Sequence, residues 1–173
     1  AEAQVKEAVK IYADIFRRLG LSYYMLMRPD FDKFAGAVYS IAFDAWNPDG
    51  RVNQIGTVHN LGENFAKAFG IAYEDAVGAR KNVSQTCYGL GISRSLAAVI
   101  AQHGDDHGLV LPPEVAPVQV VVVPIHYKES EGKVEAYAKK VYEAVKKSGL
   151  RVQLDSEEKT PGEKFYQWEM LGV

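Results

Sequence analysis

Three prolines within six residues, Pro112-Pro113-Glu114-Val115-Ala116-Pro117, constrain this chain more than any other stretch. Proline lacks an N–H and holds φ fixed, so neither a helix nor a strand ladder runs through such a segment. The two flanks also follow different rules. Upstream, hydrophobic residues alternate as they do in antiparallel sheet; downstream, a solid apolar run is followed by an amphipathic helix and a second short strand. The expectation is a mixed α/β (α+β) chain with a boundary between Leu111 and Val118, dividing it into residues 1–116 and 117–173.

The upstream region begins in a helix, Glu2 to Leu19, with Val5, Val9, Tyr12, Phe16 and Leu19 on one stripe and no capping residue ahead of it. Ser22 to Met27 reads as a short buried strand, broken by Arg28-Pro29-Asp30, and Phe31 to Gly36 as a loop. Tyr39, Ile41, Phe43 and Ala45 alternate with Ser40, Ala42 and Asp44, the pattern of a half-buried strand. Asn47-Pro48-Asp49-Gly50 is a turn signal, and Arg51 to Leu61 returns as the partner strand of a hairpin. A short helix over Glu63–Phe69, a strand over Ile71–Glu74 and a turn over Ala76–Asn82 follow.

Downstream, Val118 to Ile125 predicts a strand buried on both faces. Lys133 to Lys147 predicts an amphipathic helix with Val134, Tyr137, Ala138, Val141 and Val145 at helical spacing, ended by Ser148-Gly149, and Leu150 to Leu154 predicts a second strand. This is a βαβ unit, hence a parallel pair with a right-handed crossover. A polar loop, Glu157 to Lys164, leads to a helix at Phe165. One crossover helix covers only one face of such a sheet, so further elements beyond Val173 are expected to complete it.

The chemistry concentrates at Cys87-Tyr88-Gly89-Leu90-Gly91-Ile92-Ser93-Arg94. Val83 to Tyr88 reads as a strand, the glycines as a tight turn, and an apolar helix starts at about Ser93. Arg94 then lies in a first helical turn, where free N–H groups already favour an anion, and its planar fork suits a phosphate. A plain turn with a solvated arginine is the bland alternative. On the hairpin, period two puts Thr57 and His59 on one face and Gln54 on the other, unless a bulge shifts it. Asp105-Asp106-His107 reads as a solvated loop rather than a metal site. A single cysteine excludes an internal disulfide and a thiolate zinc cluster. The net charge of −2 is not that of a general nucleic-acid binder, so any nucleic acid must be met by local patches. No apolar run is long enough to span a bilayer and the first residues carry no signal-peptide pattern, which suggests a cytoplasmic protein.

The strand–Gly–Leu–Gly–helix element ending at Arg94 resembles motif 3 of the class II aminoacyl-tRNA synthetases. His103 to Pro113 running into Ala116 to Ile125 resembles the passage from catalytic to anticodon-binding domain in the archaeal and eukaryotic prolyl-tRNA synthetases. Lys33-Phe34-Ala35-Gly36-Ala37, Gln54 to Gly62, and Pro161 to Phe165 with Trp168-Glu169 fit the same family in the same order. The resemblance implies the C-terminal half of an antiparallel-sheet catalytic domain followed by the start of an α/β anticodon-binding domain.

It also implies roles. Arg94 would be the catalytic arginine on the ATP phosphates, with Gln54 and Thr57 also holding the adenylate. Phe34, His59, Cys87 and Gly89 would form the proline pocket, with Cys87 as a small buried wall and not a nucleophile. Lys164 would contact the anticodon. The implied substrates are L-proline, ATP with Mg2+, and proline tRNA, and the complete enzyme is expected to be a homodimer. Motifs 1 and 2 are missing from the stretch, so it resembles an interior piece that is inactive alone. Two alternatives are a threonyl-type enzyme, which would need a zinc site, and a non-catalytic tRNA-binding module.

Overall fold

The computed structural model describes residues 1–127 and 130–173, which form two compact units, Ala1–Gln102 and His103–Val173. The first unit contains α1 (Glu2–Arg18), β1 (Tyr23–Met27), β2 (Tyr39–Trp46), β3 (Val52–Gly62), α2 (Asn64–Phe69), β4 (Ala72–Glu74), β5 (Arg80–Asn82), β6 (Gln85–Leu90) and α3 (Ile92–His103), whose last residue opens the second. β1, β2, β3 and β6 form one antiparallel sheet in that order.

Alternation in β2 and β3 sends Phe43 and Val58 to one face, where the α1 stripe meets them. Tyr12 and Phe16 pack on Phe43 with ring centroids 5.5 Å apart in each case, and Tyr23 closes the group 5.2 Å from Phe16. Each ring contributes roughly 1.5–3 kcal/mol by leaving water. Gly56 lies beneath them because a Cβ there would come within 3.2 Å of Tyr12 and 3.3 Å of Phe16. α1 starts without a side-chain cap, as its sequence suggests.

Two upstream expectations change. The strand ending at Met27 is not buried: Tyr24 is 59% and Met27 67% exposed, because β1 is the sheet edge, where Tyr23 packs on Phe16 of α1 but the rest of the strand is exposed. The turn expected over Ala76–Asn82 contains a strand, since β5 pairs with β4 through Tyr73 and Lys81.

The second unit contains β7 (Val120–Val122), α4 (Glu131–Lys147), β8 (Val152–Leu154) and α5 (Pro161–Met170). β7 and β8 pair in parallel on either side of α4. The buried strand expected over Val118–Ile125 is only three residues long and half-buried. Its ladder extends only as far as its three-residue partner β8. Helix α5 begins at Pro161, four residues before the expected Phe165. Thr160 caps it, and Glu163 reaches back to the Thr160 N–H in a capping box with proline in the first turn.

The division at Gln102/His103 lies ahead of the proline-rich stretch, because residues 103–117 are bonded into the second unit. Arg151 donates to the carbonyls of Ala116 at 2.7 Å and Pro113 at 2.6 Å, and the Leu109 N–H donates to the Met170 carbonyl. At Gly108 a Cβ would fall 2.4 Å from Met170 Cα, so only glycine permits that approach.

Candidate active site

The sheet face away from α1 carries the candidate site. Between Phe43/Asp44 the β2–β3 register shifts: Phe43 pairs with Gly56 but Asp44 with Gln54, leaving Ile55 as the extra residue of a bulge. Three positions apart, Gln54 and Thr57 would face opposite ways in a regular strand. The bulge turns both to one side, and both line two adjoining cavities of about 250 Å³ each.

The first cavity extends to Gly89, Gly91 and Arg94. Arg94 is the third residue of α3 and exposed. Its Nη1 donates to the Gln54 carbonyl at 3.2 Å, and its own carbonyl accepts from Asn53 Nδ2 at 2.9 Å. The Gly91 N–H donates to the Ile55 carbonyl, so the Gly–Leu–Gly turn is stitched to the bulge itself. A Cβ on Gly91 would press within 3.1 Å of the Arg94 side chain, which lies back over the turn. The guanidinium thus stands beside a helix N-terminus, with most of its donors unpartnered among the described residues and able to meet an anion.

The second cavity adds Phe34, His59, Ser40 and Arg28. Phe34 is no core residue: it is 46% exposed, its ring 4.9 Å from that of His59. Ser40 Oγ lies 2.7 Å from His59 Nδ1 and accepts the Phe34 N–H at 3.1 Å. Burial lowers the His59 pKa, which favours the neutral ring. Arg28 Nη2 lies 2.8 Å from both oxygens of the buried Asp44, anchoring the start of the loop that carries Phe34. That loop turns at Gly36, where φ is +84° and a Cβ would lie 2.9 Å from the Phe65 ring.

Two residues expected in the amino-acid pocket do not line the second cavity. Cys87 pairs in register with His59, a histidine partner that sequence order hides, yet it is exposed and not the buried wall expected. The cause is position: β6 is the other edge of the sheet. Gly89 pairs with Thr57 and lines the first cavity, with Arg94, instead of the second. Sequence reasoning overlooked Ser40, Arg28 and Asp44. Ser40 reads as one more polar residue in an alternating strand, and the Arg28–Asp44 pair spans sixteen positions with no motif to join it.

The second unit has its own cavity, about 690 Å³, lined by Glu135, Glu157, Glu158, Glu163, Lys159 and Lys164 among others. Lys164 is not an exposed cation. It is 3% exposed, with Nζ 3.2 Å from the Asp155 carbonyl and 3.4 Å from Asp155 Oδ1. Asp155 Oδ2 accepts from Trp168 Nε1 at 2.8 Å and Oδ1 from the Glu157 N–H at 3.0 Å. Burial alone would raise the Asp155 pKa; these donors and the Lys164 charge outweigh it and hold the carboxyl below its ordinary value. The early start of α5 explains the burial, because it aligns Lys164 and Trp168 on one helical face over Asp155. Lys159 is the more exposed cation, bridged to Glu157 at 2.6 Å.

Asp105 Oδ1 accepts the N–H groups of His107 and Gly108, closing its own loop. Among the described residues no three His, Cys, Asp or Glu side chains gather to hold a metal ion, and no helix is long and apolar enough to cross a membrane.

Known proteins resemble this chain in sequence and fold. Residues 1–103 match the tRNA synthetase class II core domain (G, H, P, S and T), and residues 119–173 match an anticodon-binding domain. The chain is 55% identical to a proline–tRNA ligase of Methanosarcina mazei and 51% identical to one of Pyrococcus horikoshii, over 100% of its own length in both cases. It spans 36% of the length of those relatives. A Giardia lamblia prolyl-tRNA synthetase in complex with prolyl-adenylate superposes on all of the chain, and 37% of its own, with a TM-score of 0.91 at 34% identity. One from Cryptosporidium parvum, complexed with L-proline and AMP, covers 98% of this chain and 38% of its own with a TM-score of 0.86 at 37% identity. The bulged sheet, its Gly–Leu–Gly turn and the two domain matches have one reading: this chain belongs to the class II tRNA synthetases of the G, H, P, S and T group, as a core domain followed by an anticodon-binding domain.

Proposed function

We propose that this chain is the part of a proline–tRNA ligase that holds prolyl-adenylate and begins the anticodon-binding domain. The observation that carries the reading is the pair of cavities joined through Gln54 and Thr57, one ending at Arg94 and the other at Phe34 and His59. An aminoacyl-adenylate is bipartite in the same way, with a nucleotide at one end and a small side chain at the other. The names of the relatives, and the prolyl-adenylate bound by the Giardia enzyme, support it.

In this reading the proline carboxylate attacks the α-phosphorus of ATP and pyrophosphate leaves. The reaction passes through no covalent enzyme intermediate, so orientation and fixed charge supply the rate. Arg94 meets the phosphates, Gln54 and Thr57 hold the adenylate, and Phe34 with His59 encloses the apolar pyrrolidine ring. Gly89 contributes at the nucleotide end, where its lack of a side chain lets the ligand approach β6. The magnesium that accompanies ATP has no ligand set among the described residues and would be held through the phosphates.

Transfer to proline tRNA follows, with the second unit reading the anticodon. Its acidic cavity repels phosphate and suits a base edge that donates hydrogen bonds to carboxylates. Lys164 would contribute from the cavity floor, held there by Asp155. The complete enzyme is read as a cytoplasmic homodimer.

ATP–pyrophosphate exchange in the full-length enzyme carrying this chain tests the proposal. Proline should support exchange and threonine should not, with the 173-residue chain alone inactive. Exchange with threonine and a bound zinc ion would favour the threonyl reading. No exchange by the full-length protein, with tRNA binding retained, would favour the non-catalytic module.

A further inference from the structure

We propose that Ser40 is a positioning residue for the second cavity: one hydroxyl fixes His59 with its proton on Nε2 and ties the Phe34 backbone to the sheet. The inference rests on the reading above that this cavity takes the amino acid.

Ser40 is 1% exposed, and its Oγ has one proton to give. Oγ accepts the Phe34 N–H at 3.1 Å and lies 2.7 Å from His59 Nδ1. Were Nδ1 protonated, it would donate to Oγ, which would then accept two N–H groups. Its own proton would be buried with no acceptor among the described residues, a costly arrangement. With Nδ1 bare, the hydroxyl donates to it and all three groups are satisfied. A doubly protonated ring fails for the same reason as the Nδ1–H form. The geometry therefore selects a neutral imidazole carrying its proton on Nε2, and the lowered His59 pKa agrees.

The consequence reaches both walls of the cavity. Nε2–H has no hydrogen-bond partner among the described residues, so it is a donor available to an oxygen of the substrate. A neutral ring also keeps a second positive charge away from a substrate's ammonium nitrogen. Beside it, the Phe34 ring is held 4.9 Å from the imidazole by the amide that Ser40 captures. Ser40 touches no substrate in this scheme. It sets the state of one wall and the place of the other, and a strand residue 1% exposed does both with little freedom to move.

Long-range proton–nitrogen NMR of the histidines in this chain tests the tautomer directly. His59 should show an unprotonated Nδ1 and a protonated Nε2 at neutral pH, and Ser40→Ala should give a mixture. In the full-length enzyme Ser40→Ala should raise the proline KM roughly tenfold with little change in the ATP KM, and Ser40→Thr should restore it. A wild-type Nδ1–H form, or a tautomer unchanged in Ser40→Ala, would overturn the proposal. The wild-type spectrum decides even where Ser40→Ala does not fold. The predicted tautomer with equal rises in both KM values would instead show that the cavity does not hold the amino acid, ending the link to function.

Discussion

The two units build their cavities by opposite means. In Ala1–Gln102 the site is a sheet surface, made by strand alternation and one bulge, with half-exposed groups such as Phe34 and Arg94 ready to meet a ligand. In His103–Val173 the cavity is underlain by buried charge, with Lys164, Asp155 and Trp168 tied together below it. The first arrangement separates binding from stability, because the α1 face holds the sheet while the other face is free for chemistry. The second merges them, because Lys164, which lines the cavity, also holds α5 to Asp155 at the end of β8. A substitution in the first site should therefore change activity, and one in the second should change stability first.

Asp155→Ala should have the largest effect and be local. Removing one partner of a buried pair leaves Lys164 uncompensated, at a cost of about 3–5 kcal/mol. Hydrogen exchange should accelerate in α5 and β8 while β2 and β3 stay protected. Equal loss of protection in both units would break the comparison at its root. The same carboxyl adds a sign. Its lowered pKa means its contribution is present above the unfolded value and lost as pH falls through the folded one, so acid should loosen α5.

Next comes Arg94→Ala in the full-length enzyme. A missing transition-state donor costs about 10²–10³ in rate, while an exposed arginine contributes about 0–1 kcal/mol to folding. Proline-dependent exchange should collapse with the melting temperature nearly unchanged, and undiminished exchange would remove Arg94 from the site. Phe34→Ala should be milder, raising the proline KM by about 10–200-fold and the ATP KM little. Equal changes would make Phe34 a general support of both cavities and blur the division between them.

The smallest effect should be Thr160→Ala. The capping box orients α5, and its loss costs about 1 kcal/mol, seen as faster exchange in the first turn of α5. Proline activation should stay normal. Any loss of it would mean that the second unit takes part in the chemistry of the first.

Most elements were legible because they are written in local periodicity. The α1 stripe, the hairpin through Asn47-Pro48-Asp49-Gly50 and the crossover helix all follow from spacing that a dozen residues carry. The strand over Arg80–Asn82 was not, since Arg80, Lys81 and Asn82 lack the alternation that marks a strand and pair only because β4 lies beside them. The start of α5 was legible and overlooked: Thr160-Pro161-Gly162-Glu163 is a capping box with proline in the first turn. Gln54, Thr57 and Arg94 converge as the Gly–Leu–Gly turn suggests, but only through a bulge that Gly56 hints at and that its partner strand places.

The sequence by itself determined the family, the order of elements and the residue types available for chemistry, because motifs and periodicities are short-range. Tertiary structure alone decided which of those residues face one another. Register along β2 and β3 put Gln54 beside Thr57 and His59 against Ser40, and edge position exposed Cys87. Docking of α5 on Asp155, just past the end of β8, buried Lys164. Each depends on a partner distant in sequence, and burial changes what a charge or a proton can do. A lysine in water is a contact for a ligand; on the buried face of α5, paired with Asp155, it is part of the frame.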